Sequence, residues 1–286
     1  MNPNKKSNIL KLITLLCAAA ACALRAAYYA FGTDGRGLLT PNHWSLFGLW
    51  GVCIAFAAVL LILGSSITAR KVDAPQPASP LGAAGSALLG AALLMTSLSS
   101  FGDFLMTADL LIWALGLCAG FSMLIVSFCR FTGKKPYFLL HAIACLYITL
   151  RTVAMYRQWS SDPQLLDYGF YIAAHAALML ASYHHAAFDA GLGNHRALWI
   201  CSLSAVFLSC AALPRCESWL LMAAFALWAF TNLTVIPVRK RRIRPTAQVD
   251  ELCRCPFLLP FKPASTGWKA PALPRIWWAA ASATRT

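Results

Sequence analysis

Four ionisable side chains stand inside stretches that are otherwise apolar: Arg25, Asp109, Arg151 and His175. A charge placed in hydrocarbon costs several kcal/mol, so such residues are functional suspects from the start. Each lies five to seven residues inside its apolar run, counted from the same side of the chain's weave. At about 1.5 Å per helical residue that is a depth of roughly 8–10 Å. A shared polar pocket open to that side is therefore expected. An Asp109 pair with Arg25 or Arg151 would neutralise one charge, and the other guanidinium could receive an anionic group through its planar donor fork. Asp34 and Asp162 add charge at the mouth of this pocket. A structural reading stays open beside it. Tyr28 and Tyr29 follow Arg25, and Tyr147 precedes Arg151 by four; arginines at this depth can extend to the headgroup level, where tyrosines also sit.

A second set gathers at the opposite ends of the runs. Tyr183-His184-His185 precedes Asp189, and His141 stands early in its own run. His185 and Asp189, four apart, share a helix face. Two histidines and a carboxylate suit a metal, a proton relay or a hydrogen-bonded cap. On a helix, however, His184 and His185 point about 100° apart, so one ion cannot readily use both. No metal and no cofactor are expected. No metalloprotease, nucleophile-elbow or phosphate-loop motif occurs. The two glutamates, Glu217 and Glu251, fall outside the apolar runs. Catalytic residues are therefore not assigned, and an enzyme is the less favoured class.

The elements that carry these residues follow from composition. The 286 residues are 59% hydrophobic and 12% charged, against about 45–50% and about 25% in soluble domains. That excludes a soluble globular domain, a disordered chain and a disulfide scaffold. Eight runs are long enough to cross a hydrocarbon core about 30 Å thick: 9–31, 43–64, 81–99, 104–129, 136–156, 168–188, 197–213 and 218–238. They are continuous rather than alternating, so an all-α, polytopic transmembrane helix bundle is expected. The 197–213 run is the weakest, and a seven-span alternative stays open. The first run reads as an uncleaved anchor, since seven more follow. Gly116 and Gly120 form a Gly-x-x-x-Gly that permits close helix approach.

Basic residues set the orientation. With the N-terminus inside, the inner side holds Lys5, Lys6, Lys11, Arg70, Lys71, Arg130, Lys134, Lys135 and Arg196, and the outer side Arg36, Arg157 and Arg215. Ten more basic residues lie in the segment 239–286. Both termini are expected in the cytoplasm, with the protein in the cell membrane. Residues 1–238 form the transmembrane domain; 239–286 is a basic tail with prolines and tryptophans, expected to be disordered. Arg239, Lys240, Arg241, Arg242 and Arg244 read as a positive stop anchor or as a contact for anionic lipid. The net charge of +14 thus reflects topology, and nucleic acid is not an expected partner. Of the 11 cysteines eight lie in runs, where such side chains pack as small hydrophobes.

A parallel four-plus-four repeat is suggested by two matching stretches. Leu24-Arg25 precedes Tyr28, Asp34 and Leu38-Leu39; Leu150-Arg151 precedes Tyr156, Asp162 and Leu165-Leu166. The halves would be 1–133 and 134–238, a pattern known among transporters.

With LRAAYYAFGTDGRGLLTPNH at 24–43, MYRQWSSDPQLLDY at 155–168 and YHHAAFDAGLGN at 183–194, the chain resembles an uncharacterised family of small polytopic bacterial membrane proteins. The resemblance covers about 9–238 and implies a topology but no activity. Three expectations follow for function: a small-solute transporter or permease component with an outward-facing pocket, a non-enzymatic sensor or scaffold subunit with a protein partner, and a lipid-modifying enzyme. Scarce helix-breaking residues weigh against the first, the lack of an output domain against the second, and the missing motifs against the third.

Overall fold

The computed structural model describes residues 3–32, 40, 43–65, 78–100, 107–159, 165–216 and 218–235. The chain divides into two units, Met1–Arg239 and Lys240–Thr286, and all of these residues belong to the first. Asp34, Asp162, the basic run at 239–244 and the expected disorder of the tail lie outside the described residues.

The described residues form eight α-helices: α1 (Pro3–Phe31), α2 (Trp44–Ser65), α3 (Pro80–Ser99), α4 (Thr107–Phe131), α5 (Phe138–Trp159), α6 (Leu165–Asp189), α7 (His195–Ala212) and α8 (Trp219–Val235). A 3-10 turn, Leu213–Arg215, links the last two. Six of them are long and apolar enough to cross a membrane: α1 to α5 and α7. The other two depart for separate reasons. Helix α6 has 25 residues, about 37 Å of helix, but its histidines and tyrosines lower its hydropathy. Helix α8 is largely apolar but has 17 residues, about 25 Å.

Packing arranges these helices as two plus six. Neighbours in sequence from α3 to α8 pack on one another, and α8 packs back on α3, closing a six-helix ring. The α1–α2 hairpin lies against this ring, mainly through α1 on α7. Leu10, Ala18 and Ala21 of α1 share a core there with Leu203, Phe207 and Ala211 of α7, and Phe56 of α2 stacks on Phe207 at 4.1 Å. The packing does not repeat with a four-helix period: α6 packs on α7, whereas the equivalent α2 and α3 are not a packed pair among the described residues. The two-plus-six division cuts across halves at 1–133 and 134–238, because α3 and α4 belong to the ring with α5 to α8.

Small residues close the ring. Within lipid, helices associate by van der Waals contact, which close backbone approach strengthens. A Cβ built on Gly120 would lie 2.7 Å from Leu94 Cγ, and one on Gly90 would lie 2.9 Å from the Gly120 carbonyl oxygen. Gly116 is closed off by Ser97 and Tyr147 in the same way. The Gly116–Gly120 pair therefore serves packing inside the fold, as α4 meets α3 and α5. Helix ends are set by local chemistry. Ser79 caps α3, its hydroxyl accepting from the Gly82 N–H at 3.1 Å, with Pro80 in the first turn. Gly133 and Gly191 adopt φ of 71° and 81°. Lys134 N–H then donates to the Cys129 carbonyl and Leu192 N–H to the Ala187 carbonyl, the closing pattern of helix C-termini. These two stops leave Arg130 and Asp189 in the last turns of α4 and α6.

Candidate functional site: two polar clusters in the six-helix ring

Helix register decides which side chains enter the ring. On α6, Tyr171, His175, Leu178, Ser182, His185 and Asp189 recur at intervals of four and three, and none is more than 6% exposed. Such spacing places them on one face. On α4, Ala119, Met123, Val126 and Arg130 repeat the pattern, and on α8 so do Leu221, Phe225, Trp228 and Asn232, all buried. Most of their apolar members share one core with residues of α3, α5 and α7. Polar groups collect at the two ends of these stripes.

At one end stand Arg130 of α4, His141 of α5, His185 and Asp189 of α6, and Trp228 and Asn232 of α8. His141 Nδ1 lies 2.9 Å from Asp189 Oδ2. The distance is that of an ion pair, although its alignment falls short of a hydrogen bond. The His141 and His185 rings stack with centroids 5.7 Å apart, and Trp228 lies 5.0 Å from His185 and 6.2 Å from His141. Arg130 is 4% exposed, and its Nε, Nη1 and Nη2 have no hydrogen-bond partner among the described residues. The same holds for both His185 nitrogens, Trp228 Nε1 and the Asn232 amide. Few buried polar atoms in native proteins lack a partner, so this concentration is unusual.

His141, His185 and Asp189, grouped by spacing in the sequence, lie together here, and His184 turns away as the helical angle requires. His184 is half-buried and meets Tyr183 edge-on at 5.3 Å. Arg130 corrects the sequence reading. It counts there as an inner-loop charge, yet the ring encloses it. Its register with Met123 and Val126 is the signal that would have found it. Asn232 and Trp228 carry the same kind of signal on α8. Among the described residues no three metal-ligating side chains are placed to hold one ion.

At the other end Arg151 of α5 donates to the Tyr147 hydroxyl at 2.8 Å and to Ser218 Oγ at 3.3 Å. Tyr171 Oη lies 3.4 Å from the same Ser218 oxygen. His175 joins this group through Nδ1, which sits 3.0 Å from the Tyr171 carbonyl oxygen, and its ring meets Tyr171 edge-on. Its Nε2 has no partner among the described residues.

Arg25 stands at the same end of the bundle in a different interface. It donates to the Ala211 carbonyl at 2.8 Å and to the Tyr29 hydroxyl at 3.2 Å, and it lies 5.0 Å over the Phe170 ring. Phe170 and Tyr171 are adjacent on α6, so Arg25 occupies the α1 side of that helix and Arg151 the ring side. Among the described residues the two arginines thus lie in separate interfaces, with α1 packed on α7. Asp109 is half-buried in the first turn of α4.

The fold and these clusters define the class: an all-helical membrane protein with ionisable groups enclosed by six of its helices. No protein-family model, curated protein or solved structure matches the chain.

Proposed function

We propose that the protein is a small-solute transporter or permease component whose polar pathway runs inside the ring α3–α8, along α6. The observation that carries this reading is the α6 stripe. From Tyr171 to Asp189 it extends about 27 Å at the helical rise, close to the thickness of a hydrocarbon core. Five of its six side chains are polar, and Leu178 alone interrupts them near mid-height. Enclosed polar side chains in a membrane helix are costly, and solute or proton pathways are their usual purpose. An arginine at each end, Arg151 and Arg130, suits the attraction of negatively charged or strongly dipolar solutes. This relocates the site from a mouth built around Arg25 to the interior of the ring.

The reading includes eight crossings, with α6 and α8 completing the six apolar helices, and both termini in the cytoplasm of a cell-membrane protein. The distribution of Lys and Arg supports it. The basic segment beginning at Arg239 then faces anionic lipid. The resemblance to small polytopic bacterial membrane proteins is consistent with this topology.

The test is solute entry into proteoliposomes, followed by light scattering after osmotic shock with acetate, phosphate, glycine or glycerol. At least one solute should equilibrate faster than in protein-free liposomes. Ser182→Leu and His175→Leu, which extend the apolar middle of the stripe around Leu178, should each return that rate to the protein-free value. Rates indistinguishable from empty liposomes for all four, or unchanged in both variants, would remove the transport reading.

A further inference from the structure

We propose that the Arg130 end of the ring is a binding site for a small oxyanion, a carboxylate or a phosphate group. This deepens the transport reading by naming the solute class, and it rests on that reading only for the onward passage of the bound anion.

Arg130 lies within electrostatic reach of Asp189, His141 and His185. Asp189 is the cluster's one carboxylate among the described residues, and its Oδ2 lies 2.9 Å from His141 Nδ1. The guanidinium is left with Nε, Nη1 and Nη2 buried and unpartnered. A guanidinium carries five N–H donors and cannot escape its charge by losing a proton. Burying it without acceptors is far costlier than burying a neutral group. Trp228 Nε1 and Asn232 Nδ2, at the same end of the ring, add donors without partners. An imidazole always offers at least one further donor, and both His185 nitrogens are unengaged. The acceptors are fewer: Asn232 Oδ1, one ring nitrogen of each neutral imidazole and the Asp189 carboxylate. Excess donors around a fixed positive charge call for an acceptor-rich, negatively charged ligand. A metal cation would meet a guanidinium and a single carboxylate. The planar fork of arginine matches two oxygens of a carboxylate or phosphate.

The rings of His141, His185 and Trp228, all within 6.2 Å of one another, form a compact wall beside these donors. Such a wall favours a small head group. A free ion and the head group of an anionic lipid share this chemistry, so the experiment separates them.

The purified full chain in neutral detergent is melted with sodium acetate or sodium phosphate, against sodium chloride at equal ionic strength. A parallel arm adds phosphatidylglycerol to the micelles. Binding to the folded state should raise Tm by roughly 5–10 °C at about 100 times Kd. The rise should saturate, and it should be absent in Arg130→Gln and weakened at least tenfold in apparent affinity in Asn232→Leu. A rise with acetate or phosphate that depends on Arg130 supports a free oxyanion. A rise with phosphatidylglycerol alone, with the same dependence, supports the oxyanion site with lipid as its source. No rise in any arm of the unaltered protein, or the same rise in both variants, overturns the proposal. The unaltered protein's own response decides the case even where a variant fails to fold. Flux without an anion-dependent shift would sink the site and spare the pathway; a shift without flux would do the reverse.

Discussion

Arg130 and Arg25 are both buried guanidinium groups, and they differ in what surrounds them. Arg25 bonds the Ala211 carbonyl and Tyr29, so it ties the end of α1 to the end of α7. Arg25→Met should strand that carbonyl and lower stability by about 1–3 kcal/mol, the cost of an unsatisfied buried polar group. Solute flux per folded molecule should be unchanged. Arg130 has no such partner among the described residues. An apolar side chain in its place removes the cost of holding a charge out of water without acceptors. Arg130→Met in anion-free detergent should therefore melt no lower than the unaltered protein. His141→Ala should do the opposite. It removes the group 2.9 Å from Asp189 and leaves a buried carboxylate at a helix C-terminus, where the macrodipole disfavours it. A loss of about 3–5 kcal/mol is expected, read from chemical or thermal unfolding.

Among the helices, α3 is the narrow one. Gly82, Ala83, Gly85, Ser86, Gly90 and Ala92 are buried along it, and this lets α4 and α8 approach from either side. Gly90 faces the Gly120 carbonyl oxygen, a main-chain atom that cannot rotate away. Gly90→Ala should destabilise the α3–α4 contact by about 1–3 kcal/mol, the usual cost of overpacking. Gly169, with open space where its Cβ would be, is the control, and Gly169→Ala should leave the melting curve in place. Helix α6 shows how far periodicity alone reads. Its four-three spacing of Tyr171, His175, Ser182, His185 and Asp189 is visible in the chain, and so is the divergence of His184 from His185. Which neighbours that face meets is not visible, since every helix of a bundle offers similar apolar sides.

At the scale of the whole molecule, the proposed eight crossings and the bias of Lys and Arg together put both termini in the cytoplasm. A green fluorescent protein fused after Thr286 should fluoresce in a bacterial host, and alkaline phosphatase at the same position should be inactive. The opposite pair of results would place the C-terminus outside. The two-plus-six arrangement assigns roles to its parts. The ring encloses the polar clusters, while the α1–α2 hairpin adds a brace along α7, with Lys11 over the Trp199 ring at 5.2 Å. Much of α2 is exposed and apolar, as at Phe47, Trp50, Ile54, Leu61 and Ile62. In a bilayer that surface meets lipid.

Composition and run length suffice for an all-helical membrane bundle, because backbone groups in hydrocarbon must bond within their own segment and apolar runs of this length do so as helices. The same local rules put Gly116 and Gly120 on one face of α4, and His185 and Asp189 on one face of α6. Partnership between distant helices is another matter. Depth along a helix is a linear count, so Arg25 and Arg151 are legibly level with each other. Azimuth and neighbour depend on how helices pack, and α1 packs on α7. Only the closed ring turns Arg130 from a boundary charge into a buried one and sets Trp228 beside His141 and His185. Long-range packing, unlike hydropathy, is a property of pairs of surfaces that no single stretch of the chain contains.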